Sequence, residues 1–331
     1  MLNIAVIGLG WWGRTLVDLV GQSDQLRVAR VADVNAQALD FVRQRGFACS
    51  STLDDVLRDP AVQAVVLCTP HTQHTDQIVA AALAGKHVFC EKPLSMTRRD
   101  VLRAVAAVEQ AGVALGVGHE KRFEPPIIEV MRLLHAGALG TPLQVEANFS
   151  QDKFLALDKN NWRLSGTEAP AGPMTATGIH LLDLSIGVFG EAATVFTSVK
   201  QLGSQLTNGD TLAALVTFKR GGHALISAIL ATPFAGRFAV FGSKGWAEVR
   251  DKTHPEAPEG WTLTTCLRGE RVHSVDLPPA PAVLRNLEAY ADAAMGKALY
   301  PVPREQMIAN VSALEAIFRS AASGTIETVE S

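Results

Sequence analysis

The sequence predicts an α/β chain in two parts: a doubly wound parallel sheet over residues 1–122, then an α/β region built on an antiparallel sheet over 123–331. Three observations predict it. Apolar runs at 2–8, 26–33, 64–70, 87–93 and 113–119 alternate with Ala/Leu-rich stretches of helical spacing, such as 15–22, 36–46 and 76–85. Strands interleaved with amphipathic helices make βαβ units, whose parallel sheet is covered on both faces. A glycine-rich turn, Gly8-Leu9-Gly10-Trp11-Trp12-Gly13, joins the first strand to the first helix. Beyond Pro125 the pattern changes. A helix-like stretch at 126–137 leads into 143–150, and runs at 194–202, 212–221, 223–230, 238–250 and 261–269 then follow one another. Turn signals at 208–210, 220–222 and 258–260 separate some of these runs, with no helices between them, which indicates antiparallel pairing. The closing stretch 304–324 has apolar residues at helical spacing and a Gly stop, and reads as a packed helix.

Bulk composition excludes several classes. Apolar residues make up 47% of the 331 and charged residues 19%, enough for one large or two ordinary domains with a sizeable core. The net charge is −3 and no Lys/Arg run forms a basic stripe, so nucleic acid is not an expected partner. No apolar run approaches the roughly 20 residues that span a bilayer. The N-terminus enters a strand directly, without a charged region or cleavage site, so a cytoplasmic protein with no membrane association is expected. Cys49, Cys68, Cys90 and Cys266 lack metal or redox spacing and read as reduced core thiols.

In a parallel sheet of this kind ligands sit beyond the carboxyl ends of the strands, so Asp33, Thr69 to His71, Glu91 to Pro93 and Gly118 to Arg122 should converge on one crevice. The glycine turn follows a strand, opens a helix and precedes Asp33 by twenty residues from Gly13, the context a dinucleotide fingerprint requires. Its glycines let the backbone approach a pyrophosphate, and the helix N-terminus faces that charge. Asp33 can accept hydrogen bonds from a ribose 2′-hydroxyl and repels a 2′-phosphate, favouring NAD. Arg14 and Arg30 stand as phosphate partners that keep NADP open. His71 and His74 lack a third ligand, so no metal is expected; they read as a cofactor-lining loop, against a solvated helix start. His119 to Arg122 has two readings, a solvated charge cluster or a substrate-facing segment.

Cys90-Glu91-Lys92-Pro93 is the most informative tetrapeptide. A lysine ending an apolar strand in a cofactor crevice would be partly desolvated and close to a positive nicotinamide ring. Both effects disfavour the ammonium and suit acid–base work. The alternative is a lysine that snorkels to the surface.

With these residues in view, the chain resembles the Gfo/Idh/MocA family of nicotinamide-dependent oxidoreductases. The resemblance rests on the segments at 8–13, 68–74, 91–94, 118–150, 161–163 and 178–183. It implies a Rossmann domain followed by an α/β domain with an open, mainly antiparallel sheet, whose outer face makes the contact of a homodimer or homotetramer. It implies a cis Lys92–Pro93 bond and a cofactor-binding set of Gly8, Gly10, Trp11, Trp12, Gly13, Asp33, Thr69, Pro70, His71, His74, Glu91 and Lys92. Lys92 would lie beside the nicotinamide and the reacting carbon. Trp162 and Arg163 would lie in a loop facing the cofactor domain, with Arg163 either holding substrate or tying domains together. Arg122 is a second candidate anion contact.

The activity this implies is oxidation of a secondary alcohol of a sugar, polyol or cyclic dihydroxy acid, or reduction of the matching ketone. The last class is suggested by a branch similar around 118–123 and 171–180. Hydride goes to nicotinamide C4 and the hydroxyl proton to Lys92 or His180, with both assignments open. One departure stands out. Many members carry an acid four residues before the histidine, where this chain has Ala176. Asp183, three residues after His180, either shares its face toward substrate or braces a buried helix. The departure motivates a competing reading, a non-catalytic cofactor-binding regulator. A hydrolase or lyase that uses NAD transiently is a third.

Overall fold

The computed structural model describes residues 1–330. The chain divides into two compact units, Met1–Glu120 with Val283–Met307, and Lys121–Ala282 with the chain from Ile308 onward. A single division after residue 122 runs the chain once through each domain; here a late segment returns to the first unit.

The first unit is a six-stranded parallel sheet. Its strands are β1 (Leu2–Ile7), β2 (Leu26–Ala32), β3 (Cys49–Ser50), β4 (Ala64–Leu67), β5 (His87–Cys90) and β6 (Leu115–Val117), in spatial order β3-β2-β1-β4-β5-β6. The order reverses between β1 and β4, which opens a crevice at their carboxyl ends. Helices α1 (Trp11–Val20), α2 (Ala36–Arg43), α3 (Leu53–Leu57), α4 (His74–Leu83) and α5 (Arg98–Ala111) make the crossovers. Asn35, Thr52 and Thr97 cap α2, α3 and α5 through their side chains, each stabilising its helix by about 1 kcal/mol. One core joins Ile4, Val6, Leu16, Val31, Leu39 and Val66.

The second unit carries a nine-stranded sheet. After α6 (Pro125–His135) come β7 (Pro142–Ser150), α7 (Ile179–Phe189), β8 (Ala192–Lys200), β9 (Thr211–Phe218), β10 (His223–Ile229), β11 (Ala235–Gly242), β12 (Gly245–Asp251), β13 (Trp261–Leu267) and β14 (His273–Leu277). The final elements are α8 (Ala282–Ala294), α9 (Arg304–Ser323) and β15 (Glu327–Thr328). Spatial order is β14-β13-β12-β11-β7-β10-β9-β8-β15, and only β7–β10 is parallel. The run 238–250, continuous in hydropathy, is a hairpin: Gly242 pairs Gly245 across a two-residue turn. Residues of β9 and β10 alternate, with Leu212, Val216, Ala224 and Ile226 in the core and the intervening ones outward, while in β11 Phe238 and Val240 join the core. α7 is buried on nearly every side and lies against β7 and β10, as expected of a helix apolar all round.

The sequence pattern left α8 unassigned. Leu287, Tyr290 and Ala291 join the core of the first unit, and the Tyr290 ring meets Phe89 edge-on at 5.4 Å. Gly116 permits that approach, since a Cβ there would lie 2.8 Å from both rings. Asn286 Nδ2 and Tyr300 Oη donate to Val117 O, at 2.9 and 3.0 Å, and dock the returning segment on β6. Among the described residues no helix is long and apolar enough to cross a membrane.

Candidate functional site

The cofactor side is built in the first unit at the carboxyl edge of β1, β2, β4, β5 and β6. Gly8 has φ +91°, and a Cβ there would sit 2.8 Å from the Cys68 carbonyl. A Cβ on Gly13 would lie 1.8 Å from Gly8 O, so helix and strand can cross this closely only with glycine at both positions. Gly10 is different: a Cβ there meets nothing within 4 Å. It precedes α1, which has neither a capping side chain nor an acid in its first turn, so the helix N–H groups remain for an anion. This turn fits a dinucleotide pyrophosphate. Trp11 is exposed and Trp12 half-buried beside it, their ring centroids 5.3 Å apart.

Asp33 follows β2 directly. Its Oδ2 accepts from Leu9 N at 2.5 Å and its Oδ1 from Asn35 N at 2.8 Å, which fixes the carboxylate against the glycine turn. The two arginines that kept NADP open are committed elsewhere. Arg30 is held by Asp59 at 2.8 Å and Ser50 at 2.9 Å. Arg14 donates to Leu9 O at 2.8 Å and stacks on Phe41 at 4.8 Å.

Thr69 and Pro70 follow β4, and Glu91 and Lys92 follow β5, side by side because Leu67 pairs with Cys90. The Lys92–Pro93 bond is cis. His74 is fully buried, with Nδ1 2.8 Å from Pro93 O and Nε2 3.0 Å from Thr69 O. It links the two strand-end turns, which is neither a solvated helix start nor a surface open to ligand. His71 is also buried, its ring 5.9 Å from that of His74. Glu91 packs against Gly118, where any Cβ would meet its carboxylate at 2.4 Å.

In the second unit, His180 is the second residue of α7 and is buried. The chain enters that helix through an unusual turn. Ala171 has φ +48°, a strained value for a residue with a side chain, and Met174–Gly178 forms a π-helical turn. Ile179 N–H bonds back to Met174 O, five residues earlier. The wider turn changes the spacing logic, because the position one turn before His180 shifts from 176 toward 175. Ala176 packs with the apolar group Leu164, Leu206 and Leu230, a poor setting for a carboxylate. Thr177 Oγ1 donates to Phe149 O at 2.8 Å, and Thr175 Oγ1 to Gly172 O at 3.2 Å, which hold the turn. The Phe149 ring lies 6.1 Å from that of His180.

Arg122 and Asp183 are joined. Nε and one terminal nitrogen of Arg122 meet the two carboxylate oxygens at 2.5 and 2.8 Å, which braces α7 one turn beyond His180. Trp162 and Arg163 form one turn of 3₁₀-helix, with the guanidinium stacked 4.3 Å from the indole.

The segment at 119–122 is not a solvated cluster. His119, Glu120 and Lys121 are buried, and Lys121 Nζ lies 3.1 Å from Glu124 and 3.0 Å from Asp251. Burial works against the Lys121 ammonium, but the two carboxylates outweigh it and raise its pKa. Its Nζ also stands 5.1 Å over the Phe149 ring. Phe149, which packs beside His180, His254, which packs beside Phe149, and Lys153, which meets His254, escaped the reading of the sequence. Phe149 looks like any strand residue, and the others come together only through sheet register. Among the described residues no group of three or more His, Cys, Asp or Glu is placed to hold a metal.

Comparison with known proteins agrees with this architecture. Residues 2–119 match the Gfo/Idh/MocA oxidoreductase family, NAD-binding Rossmann fold, and residues 127–248 match the family's C-terminal domain. The chain is 27% identical to a 1,5-anhydro-D-fructose reductase of Ensifer adhaerens, over 88% of this chain and 87% of the relative. It is 28% identical to a myo-inositol 2-dehydrogenase of Thermotoga maritima, over 74% of each. Among solved structures, an aldose-aldose oxidoreductase from Caulobacter crescentus, complexed with glycerol, superposes with a TM-score of 0.86 at 25% identity, over 99% of each chain.

Proposed function

The chain belongs to the Gfo/Idh/MocA family of oxidoreductases with an NAD-binding Rossmann domain, and from that premise we propose that it oxidises a secondary alcohol of a cyclic polyol or sugar. Reduction of the matching ketone is the same reaction in reverse, and a cyclic dihydroxy acid is the second substrate class. NAD, when bound, supplies the hydride acceptor at nicotinamide C4. Asp33 holds the adenosine ribose and selects NAD over NADP, because Arg30 and Arg14 are already engaged. The observation that carries the reading is His180 itself: a buried histidine at the start of α7, directly after a π-turn that the strained Ala171 leads into, in a chain that also places Lys92 at the end of β5.

Lys92 and His180 divide the remaining chemistry. One takes the hydroxyl proton, and the other polarises the oxygen as alkoxide charge develops. Trp162 and Arg163 contribute substrate contacts. Arg122 and Asp183 act on substrate through the helix they brace. With Arg122 neutralised by Asp183, a neutral polyol is favoured over an acid. Polyols of the kinds named in the relatives, levoglucosan-type anhydrosugars and inositols, lead the panel. The test is reduced-cofactor absorbance across that panel and a set of cyclic dihydroxy acids. Turnover of a neutral polyol supports the reading. Tight NAD binding with no turnover of any member favours a regulator, and turnover without net reduction favours a hydrolase or lyase.

The same reading includes a cytoplasmic homo-oligomer formed through the outer face of the nine-stranded sheet. Phe196, Leu215 and Leu225 lie in register across β8, β9 and β10 and are 41%, 39% and 43% exposed. Beside them Arg237 is paired with Glu146 and Glu248, and Arg250 with Glu248, so the face carries both signs in balance. A second copy of this surface, turned about a two-fold axis, is complementary to it.

A further inference from the structure

His254 lies on the turn after β12, and its ring stands 5.8 Å from Phe149 and 5.6 Å from Phe234. Phe149 is the ring that packs beside His180. A catalytic candidate and a second histidine are thus one aromatic ring apart within the same unit.

The tautomer of His254 follows from its partners. Lys153 Nζ lies 3.0 Å from Nδ1, and an ammonium can only donate. The Glu256 N–H donates to the same atom at 3.3 Å. Nδ1 therefore carries the lone pair, and the proton sits on Nε2. The Glu256 carboxylate is 3.4 Å from Nδ1, but Lys153 holds it at 2.6 Å, so it does not draw the proton back. Burial first, then the charges of Lys153 and Lys121, push the imidazole pKa down to about 4, with Asp251 opposing them. The ring is neutral at physiological pH. Its Nε2 is buried and has no hydrogen-bond acceptor among the described residues. A buried donor left unmet is costly, whereas sites that bind small polar molecules consist of apolar walls with a few such placed groups.

We infer that His254 is a specificity-determining substrate contact, whose Nε2–H donates to a hydroxyl of the polyol away from its reacting carbon. Phe149 and Phe234 supply the apolar wall, and Lys153 with Glu256 fixes the imidazole orientation. The inference rests on the function proposed above. A neutral donor of this kind recognises an oxygen without demanding negative charge, which matches a neutral polyol better than an acid.

The test uses wild type, His254→Phe and His254→Gln with the panel polyol that wild type oxidises fastest, and with each of its monodeoxy analogues. His254→Phe should raise KM about three- to tenfold, the worth of one neutral hydrogen bond, with kcat and NADH affinity unchanged. His254→Gln, which keeps an N–H donor, should recover part of the loss. One monodeoxy analogue should lose the same factor with wild type and nothing further with His254→Phe. An unchanged KM for parent and analogues overturns the inference and leaves the N–H resting on an aromatic face. An equal loss for every analogue in His254→Phe also overturns it. If the Phe variant fails to fold, nitrogen-15 imidazole spectra of wild type decide: the Nε2–H resonance must shift on adding that polyol with NADH, and no shift overturns the contact. A wild type that oxidises no panel polyol defeats the underlying reading itself, which is a different outcome from turnover with indifferent variants.

Discussion

Arg122 holds Asp183 by three hydrogen bonds, two to the carboxylate and one at 2.9 Å to the backbone carbonyl. Their side chains are only 12% and 2% exposed. The pair fastens the segment before α6 to the helix that carries His180. Removing one partner strands a buried charge, so Arg122→Leu or Asp183→Leu should each destabilise the protein by about 3–5 kcal/mol. The double replacement should cost clearly less than the sum of the two. Urea denaturation midpoints measure all three variants, and a single variant within 1 kcal/mol of wild type contradicts the brace.

On the proposed function, the charge of Asp33 sets cofactor choice. Wild type should bind NADH at least tenfold more tightly than NADPH, a difference of about 1.4 kcal/mol. Asp33→Ser should shrink that ratio, chiefly by improving NADPH binding. Nucleotide fluorescence titrations read both constants. Equal affinities in wild type would mean that Arg14 or Arg30 leaves its present partner to meet a 2′-phosphate.

Acid sensitivity should carry the signature of His254. Its pKa falls from 6.5 to about 4 on folding, with burial as the leading cause. The unfolded chain therefore takes up this proton first as pH drops. The stabilisation is complete above pH 6.5 and is lost on acidification toward pH 4, amounting to roughly 3 kcal/mol. Denaturation of wild type and His254→Phe at a series of pH values should show a shallower decline for the variant across this window. Parallel curves would contradict the neutral, buried imidazole.

Charge placed on the outer sheet face should separate the copies. Leu215→Glu puts a carboxylate in the Phe196–Leu215–Leu225 row without touching the core, because Leu215 points outward. Light scattering after size exclusion should find an oligomer for wild type and a monomer for the variant. A wild-type monomer refutes the contact.

The first unit was largely legible because its chemistry is local. The glycine turn, Asp33 and Lys92 all sit within a few residues of a strand end. Helix α8 was missed because its partners are distant in sequence: Tyr290 meets Phe89, and Asn286 meets Val117. The candidate site in the second unit was only half legible. His180 could be named from its surroundings, but the role of position 176 was judged by α-helical spacing, which the π-turn at 174–178 does not obey. The charged run at 119–122 looked as much like solvated surface as site, since carboxylates from 124 and 251 bury Lys121 only after β12 is in place. His254 gave no signal for the same reason, as its neighbours Lys153, Phe149 and Phe234 come from three other segments.

On the proposed function, Lys92 and His180 carry a hydride-transfer reaction in this chain. Its most direct test is steady-state kcat for wild type, Lys92→Met and His180→Gln on the best polyol of the panel, with NADH affinity measured in parallel. Each variant should lose about 10²–10⁴-fold in kcat with NADH affinity preserved, as expected when a positioned acid–base group is lost. Wild-type kcat in either variant would contradict it.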